Sequence, residues 1–144
     1  MLDGTLIHPR ILGALAAAGH GSTVLVADGN YPSATGGHPA AERVFLNLRR
    51  GLPTVPEVVA VLLTAVPVEA AAVMAPDDGE PPAVHREFGA LLGPAVTVTA
   101  VSRSAFYAAA RSPDLALIVA TGDERHYANL LLTLGVRDGP GDRS

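Results

Sequence analysis

The spacing of apolar positions changes period several times along the chain, and each change marks an element. Ile11, Leu12, Leu15 and Ala18 recur at helical spacing behind His8-Pro9. A helix is therefore expected there, with Pro9 in its first turn and Gly19 as its stop. Residues 23–27 (TVLVA) form a short β-branched apolar run, the mark of a buried strand, which ends at Asp28. Residues 29–41 are rich in glycine, proline and small polar side chains and read as a loop. A second strand is expected over 44–48.

Thr54 precedes a helix predicted over 55–65, apolar on nearly every face. A strand follows over 69–74, then a turn-rich break over 75–82. Residues 83–92 are amphipathic and helical, with His85, Arg86 and Glu87 assigned to the wet side. Valines and threonines alternate over 96–101 as in a strand, and Ser102 can cap a helix through Ala110. A strand over 115–120, a turn over 122–127 and a final strand over 130–134 complete the pattern. Strands alternating with helices imply an α/β fold, one domain over 1–137 with a largely parallel sheet flanked by helices. Residues 138–144 are expected to form a disordered tail.

Composition narrows the chemistry. The 144 residues suit one domain that buries roughly two thirds of its unfolded surface. No cysteine is present, which excludes disulfides, thiolate metal sites and a cysteine nucleophile. All ten basic residues are arginine, so Schiff-base lysine chemistry and a P-loop lysine are excluded too. A net charge of −4 without a basic stripe argues against a nucleic-acid partner. No apolar run approaches the roughly 20 residues of a membrane helix. Met1-Leu2-Asp3-Gly4 lacks the basic start and apolar stretch of a signal peptide, so a soluble cytoplasmic protein is expected. Charged residues make up only 17%, against roughly 25% in typical domains, while apolar residues reach 49%. An alanine-rich core and burial of surface between subunits together account for that balance.

Ligands of open α/β sheets bind beyond the carboxyl ends of the strands. Attention falls on Gly19-His20-Gly21 leading into the strand that ends at Asp28, on Ser102-Arg103-Ser104-Ala105-Phe106-Tyr107, and on residues 121–129. His20, between two glycines, has little to pack against, and imidazole suits proton transfer at neutral pH. It could equally sit at a helix end and meet the dipole there. Asp28 is either a turn aspartate or, with His20 eight residues upstream, half of an acid–base pair. Arg103 is either an ordinary surface arginine, the commoner outcome, or a hydrogen-bond fork for hydroxyls or for Asp28. Tyr127 and Asn129 share one side of an extended chain, which would turn His126 away from them. Neither a metal-ligand spacing nor a phosphate-binding loop occurs, so no metal and no nucleotide cofactor is expected.

At these junctions the chain resembles the family of D-ribose pyranase and fucose mutarotase. The likeness runs from about Leu6 to Val136. It is carried by Gly19-His20-Gly21, Asp28 with Pro32 four residues on, Val68-Glu69-Ala70-Ala71, and Tyr127-Ala128-Asn129 followed by Leu130-Leu131-Leu132 and Gly135-Val136. Arg103 with Ala105-Phe106-Tyr107 is similar to the fucose-mutarotase branch, and Gly51-Leu52-Pro53 to the pyranase branch. Glycine follows Asp28 where alanine is usual.

The resemblance implies a three-layer, ribose-pyranase-like fold and a cofactor-free isomerase acting on a fucose-like or ribose-like monosaccharide. It also implies ring-shaped homo-oligomers, pentamers or decamers, with sites shared between neighbours. His20, Asp28 and Arg103 would come from one subunit, and Tyr127 and Asn129 from the next. In that reading His20 moves the proton, Asp28 orients it or holds a sugar hydroxyl, and the other three bind the hydroxyl pattern. The rivals are a non-catalytic sugar-binding or transport-accessory protein on the same scaffold, and a structural ring-forming shell protein.

Overall fold

The computed structural model describes residues 1–142; of the expected tail, Arg143 and Ser144 lie outside the described residues. The elements follow in the order α1 (Pro9–Ala17), β1 (Thr23–Ala27), β2 (Glu42–Phe45), α2 (Val55–Leu62), β3 (Val68–Met74), α3 (Ala83–Leu92), β4 (Thr97–Val101), α4 (Arg103–Ala110), β5 (Leu115–Ala120) and β6 (Leu130–Leu134).

Local chemistry sets the helix starts. Pro9 stands in the first turn of α1, where its missing N–H costs nothing, and the His8 imidazole accepts from the Ile11 N–H. Thr54 and Glu57 form a reciprocal capping box at α2. Ser102 caps α4 by accepting from the Ala105 N–H at 3.2 Å. The α2 helix ends at Leu62, three residues before the sequence pattern suggests, because residues 63–65 tighten into turns. β2 lies at 42–45 rather than 44–48. Its register is set by pairing with β5, which ends with Phe45 opposite Ala120.

The six strands form one sheet in the order β2-β5-β1-β6-β3-β4. Five run parallel, and β6 alone runs antiparallel, to both β1 and β3. Two apolar layers enclose the sheet. On one face α1, α2 and α3 bring Ile11, Leu15, Val59, Leu62 and Phe88 against Val24, Val26, Leu117, Leu130 and Leu132. On the other, α4 and the segment after β1 bring Phe106, Ala110 and Tyr31 against Leu25, Ile118 and Leu131. Phe88 and Phe106 are fully buried, each worth about 1.5–3 kcal/mol relative to exposure.

This topology positions the site. Five strands leave the sheet at one edge, and β6 enters there. The chain after β1, after β5 and before β6 therefore meets in one place. Residues 29–41 contain no helix or strand but are held by Arg43, whose guanidinium donates to the carbonyls of Ser33, Gly37, His38 and Ala41.

Candidate active site

Asp28 leaves β1 at the carboxyl edge and is 4% exposed. Its Oδ1 accepts from the N–H groups of Asn30 (3.0 Å) and Tyr31 (2.9 Å), an Asx turn that bends the chain away from the sheet. Its own N–H donates to Asn129 Oδ1 at 2.7 Å. Burial pushes the Asp28 carboxyl above its ordinary range, although the N–H groups of Asn30, Tyr31 and Ala128 pull the other way; the nearby Asp123 charge adds to the rise. Asn129 is equally buried, just before β6.

Asp28, Arg103, Tyr127 and Asn129 line one cavity of about 90 Å³, together with Asn30, Tyr31, Met74, Tyr107 and His126. Arg103 opens α4 and is exposed. Tyr107, one turn further along α4, stacks on Tyr31 at 5.1 Å between ring centroids. Burial, with Tyr107 alongside, pushes the Tyr31 hydroxyl up to about 12, so it stays a neutral donor, to the Gly36 carbonyl.

Two expectations fail within one chain. His20 does not meet Asp28: one precedes β1 and the other follows it, so a strand of five residues, about 17 Å long, runs between them. His20 lies exposed at the opposite edge, with Nε2 at 3.1 Å from Glu69. The expected division of residues between subunits fails as well. Tyr127 and Asn129 stand in the same cavity of the same chain as Asp28 and Arg103, and His20 is the residue left outside.

The structure adds residues that sequence spacing hid. Tyr127 has φ of 60°, the one non-glycine positive φ among the described residues, so the chain there is not extended. His126 and Tyr127 therefore both line the cavity instead of pointing apart. His85 is not on a wet face; its Nε2 donates to the Tyr127 carbonyl at 2.9 Å. Behind the cavity Asp123, 1% exposed, accepts from Arg125 and from the Val55 N–H at the start of α2. Its burial works to raise its pKa, but those donors together hold the carboxyl below its usual range.

A larger depression, about 700 Å³, opens at the opposite edge. Alanines line much of it, and its Arg10 and Glu42 already pair with each other, which leaves little unspent chemistry there. Among the described residues no group of three or more His, Cys, Asp or Glu could hold a metal ion, and no helix is long and apolar enough to cross a membrane.

The model of the RbsD / FucU transport protein family matches residues 1–137. The chain belongs to that family. D-ribose pyranase of Streptomyces coelicolor is 37% identical over 141 residues, covering 94% of this chain and 98% of that protein. Among solved structures, Bacillus subtilis RbsD complexed with D-ribose superposes with a TM-score of 0.83 at 22% identity, covering 96% of this chain and all of that one. The fucose mutarotase of Streptococcus pneumoniae in complex with L-fucose gives 0.77 at 24% identity, with 96% and 100% coverage. These likenesses establish the three-layer RbsD/FucU fold for this chain.

Proposed function

We propose that this protein is a cofactor-free monosaccharide mutarotase, interconverting ring forms or anomers of a ribose-like or fucose-like sugar. One observation carries the reading. A buried carboxyl with a raised pKa, a guanidinium, a phenol and a carboxamide converge on one small cavity at the edge where α/β sheets bind ligands. The pyranase relative adds weight to the sugar assignment.

Ring opening needs the anomeric hydroxyl to lose a proton and the ring oxygen to gain one. The carbonyl then rotates and the hydroxyl recloses on either face. No electrons move and no covalent adduct forms. Asp28, holding a proton to higher pH than an ordinary carboxyl, can give or take it across the hemiacetal. Arg103, Tyr127 and Asn129 supply donors and acceptors for the hydroxyls. Positioned proton transfer contributes about 10²–10⁴-fold, enough for a reaction that already proceeds in water.

We infer further that the working unit is a homo-oligomer, in which His20 of a neighbouring copy completes the cavity. The cavity on one chain is small, about 90 Å³, and open to solvent, so a neighbouring copy can supply the wall that it lacks. Phe45 and Leu48, on and beyond the edge strand β2, are 56% and 79% exposed, surface that suits a subunit contact. His126 offers a second assignment of the proton carrier, because it lines the cavity of its own chain.

Saturation-transfer NMR on ribose and fucose tests the activity: accelerated anomer exchange is expected, and sugar binding without acceleration would leave only the non-catalytic rival. Mixing inactive His20→Ala and Asp28→Asn chains tests the shared site. Random assembly pairs an intact Asp28 with an intact neighbouring His20 at roughly a quarter of sites, so about that share of activity returns. No recovery, with His126→Ala inactive on its own, would move the proton carrier into the single chain.

A further inference from the structure

Tyr127 holds a left-handed backbone conformation that non-glycine residues rarely adopt, so neighbouring structure must enforce it. The third residue of α3 does so. His85 Nε2 lies 2.9 Å from the Tyr127 carbonyl oxygen, which can only accept, so Nε2 carries the proton. The imidazole is fixed from behind by stacking on Phe88, which is fully buried in the core. Two residues further along α3, Glu87 pairs with Arg125, so the helix grips the segment before β6 at two points.

The gripped peptide has another end. Its carbonyl belongs to Tyr127, and its N–H belongs to Ala128, which lowers the Asp28 pKa less than Asn30 and Tyr31 do and makes no hydrogen bond of the length that those two make. A peptide unit is planar, so fixing the carbonyl direction fixes the opposite N–H direction. We propose that His85 is a positioning residue for the sugar site: through the 127–128 peptide it aims the Tyr127 ring into the cavity and the Ala128 N–H at Asp28. His85 touches no cavity space itself; it acts through that peptide. The proposal builds on the mutarotase reading, but its second half concerns Asp28 alone and can be read without any turnover.

Removing the imidazole releases the carbonyl. Tyr127 and His126 then lose their common direction, and Asp28 loses part of one N–H that opposes its burial. Two effects follow for His85→Ala. KM for ribose or fucose rises about tenfold, the scale of a lost hydrogen bond, while kcat changes less. The Asp28 titration, followed by carbon-detected NMR of its carboxyl in parent and variant, moves to higher pH.

The groups that face Asp28 are Asp123, His126 and Tyr127 from the segment before β6, Arg103 and Tyr107 from α4, and Tyr31 from its own turn, and none of them is substituted in that comparison. Those near His85 are Arg86 and Glu87 on α3 and Arg125 on the facing segment. His85→Gln, whose amide can donate to the same carbonyl, restores part of both effects and guards against a variant that fails to fold. A folded His85→Ala protein with parental KM and parental Asp28 titration would overturn the proposal. So would equal changes in the Ala and Gln variants. A parent without anomer exchange would refute the mutarotase reading instead, with the Asp28 titration still deciding the role of His85.

Discussion

Asp28→Asn is expected to slow anomer exchange by about two to four orders of magnitude while leaving the protein at least as stable near neutral pH. The carboxamide is the same size as the carboxyl, and its Oδ1 can accept the same N–H groups of Asn30 and Tyr31. The turn after β1 is therefore kept, but the amide can neither give nor take a proton across a hemiacetal. The stability half follows from linkage. The folded pKa of Asp28 lies above the unfolded value of 3.8, chiefly because burial penalises the charge. Folded protein thus holds this proton longer than unfolded protein, and its contribution to stability is fully present only below the unfolded pKa. It is lost as pH rises through the raised folded value. The variant never carries that charge, so its melting temperature should gain on the parent's as pH rises from about 4. Saturation-transfer NMR and melts across that range check both halves. Parental exchange in the Asn variant would remove Asp28 from the chemistry, and a melting difference that shrinks with rising pH would contradict the cost of its burial.

Much of this architecture is legible in the sequence. TVLVA, LALIVA and LLLTL are short, apolar and bounded by polar or glycine residues, and all three lie in the sheet within the expected limits. The Ser102 cap and the Ala83–Leu92 helix also lie where their side chains place them. In each case the decisive interaction is local, a cap or a run packed against its immediate neighbours. The misplacements share a different cause. β2 is short and half exposed, so β5 sets its limits, through contacts some seventy residues away in the chain. Nothing local announces that β6 runs against its neighbours, because direction is a property of the whole path.

The site was legible in its residue types but not in its geometry. Four of the five candidate residues share a cavity, since residues after β1, at the start of α4 and before β6 all emerge at one edge. His20 does not, because sequence distance hides that a whole strand separates it from Asp28. Side chains alternate only along an extended chain, and the left-handed Tyr127 interrupts the extension between residues 126 and 129. Two histidines are hidden from the sequence by different causes: His126 by a backbone that departs from alternation, and His85 by a helix face that another segment covers.

Gly122→Ala should cause the largest loss of stability of any single methyl added near the site. A Cβ at this position would stand 2.2 Å from the Arg49 carbonyl oxygen and 2.7 Å from that of Leu52. Both are backbone atoms in the turn that leads to α2, so no side chain can swing aside. Two hydrogen bonds tie the same surfaces together, from the Gly122 N–H to Pro53 O (3.0 Å) and from the Gly51 N–H to Gly122 O (2.6 Å). Opening the contact strains both, and it also draws Asp123 away from the Val55 N–H that it accepts. A cost of about 3 kcal/mol or more is expected, well beyond an ordinary surface change. For a chain of this size that lowers Tm by about 10 °C. Gly29→Ala is the graded control, since its Cβ would meet Asp123 O at 3.2 Å, a contact relieved by a shift of a few tenths of an ångström. Gly13→Ala, with nothing within 4 Å and a place inside α1, should melt at or slightly above the parent. Thermal melts of the three variants should rank in that order. A Gly122→Ala protein that melts with the parent would mean that the 49–53 turn does not press on the exit of β5. The support proposed here for Asp123, and through it for Arg125 and the cavity wall, would then have to come from elsewhere.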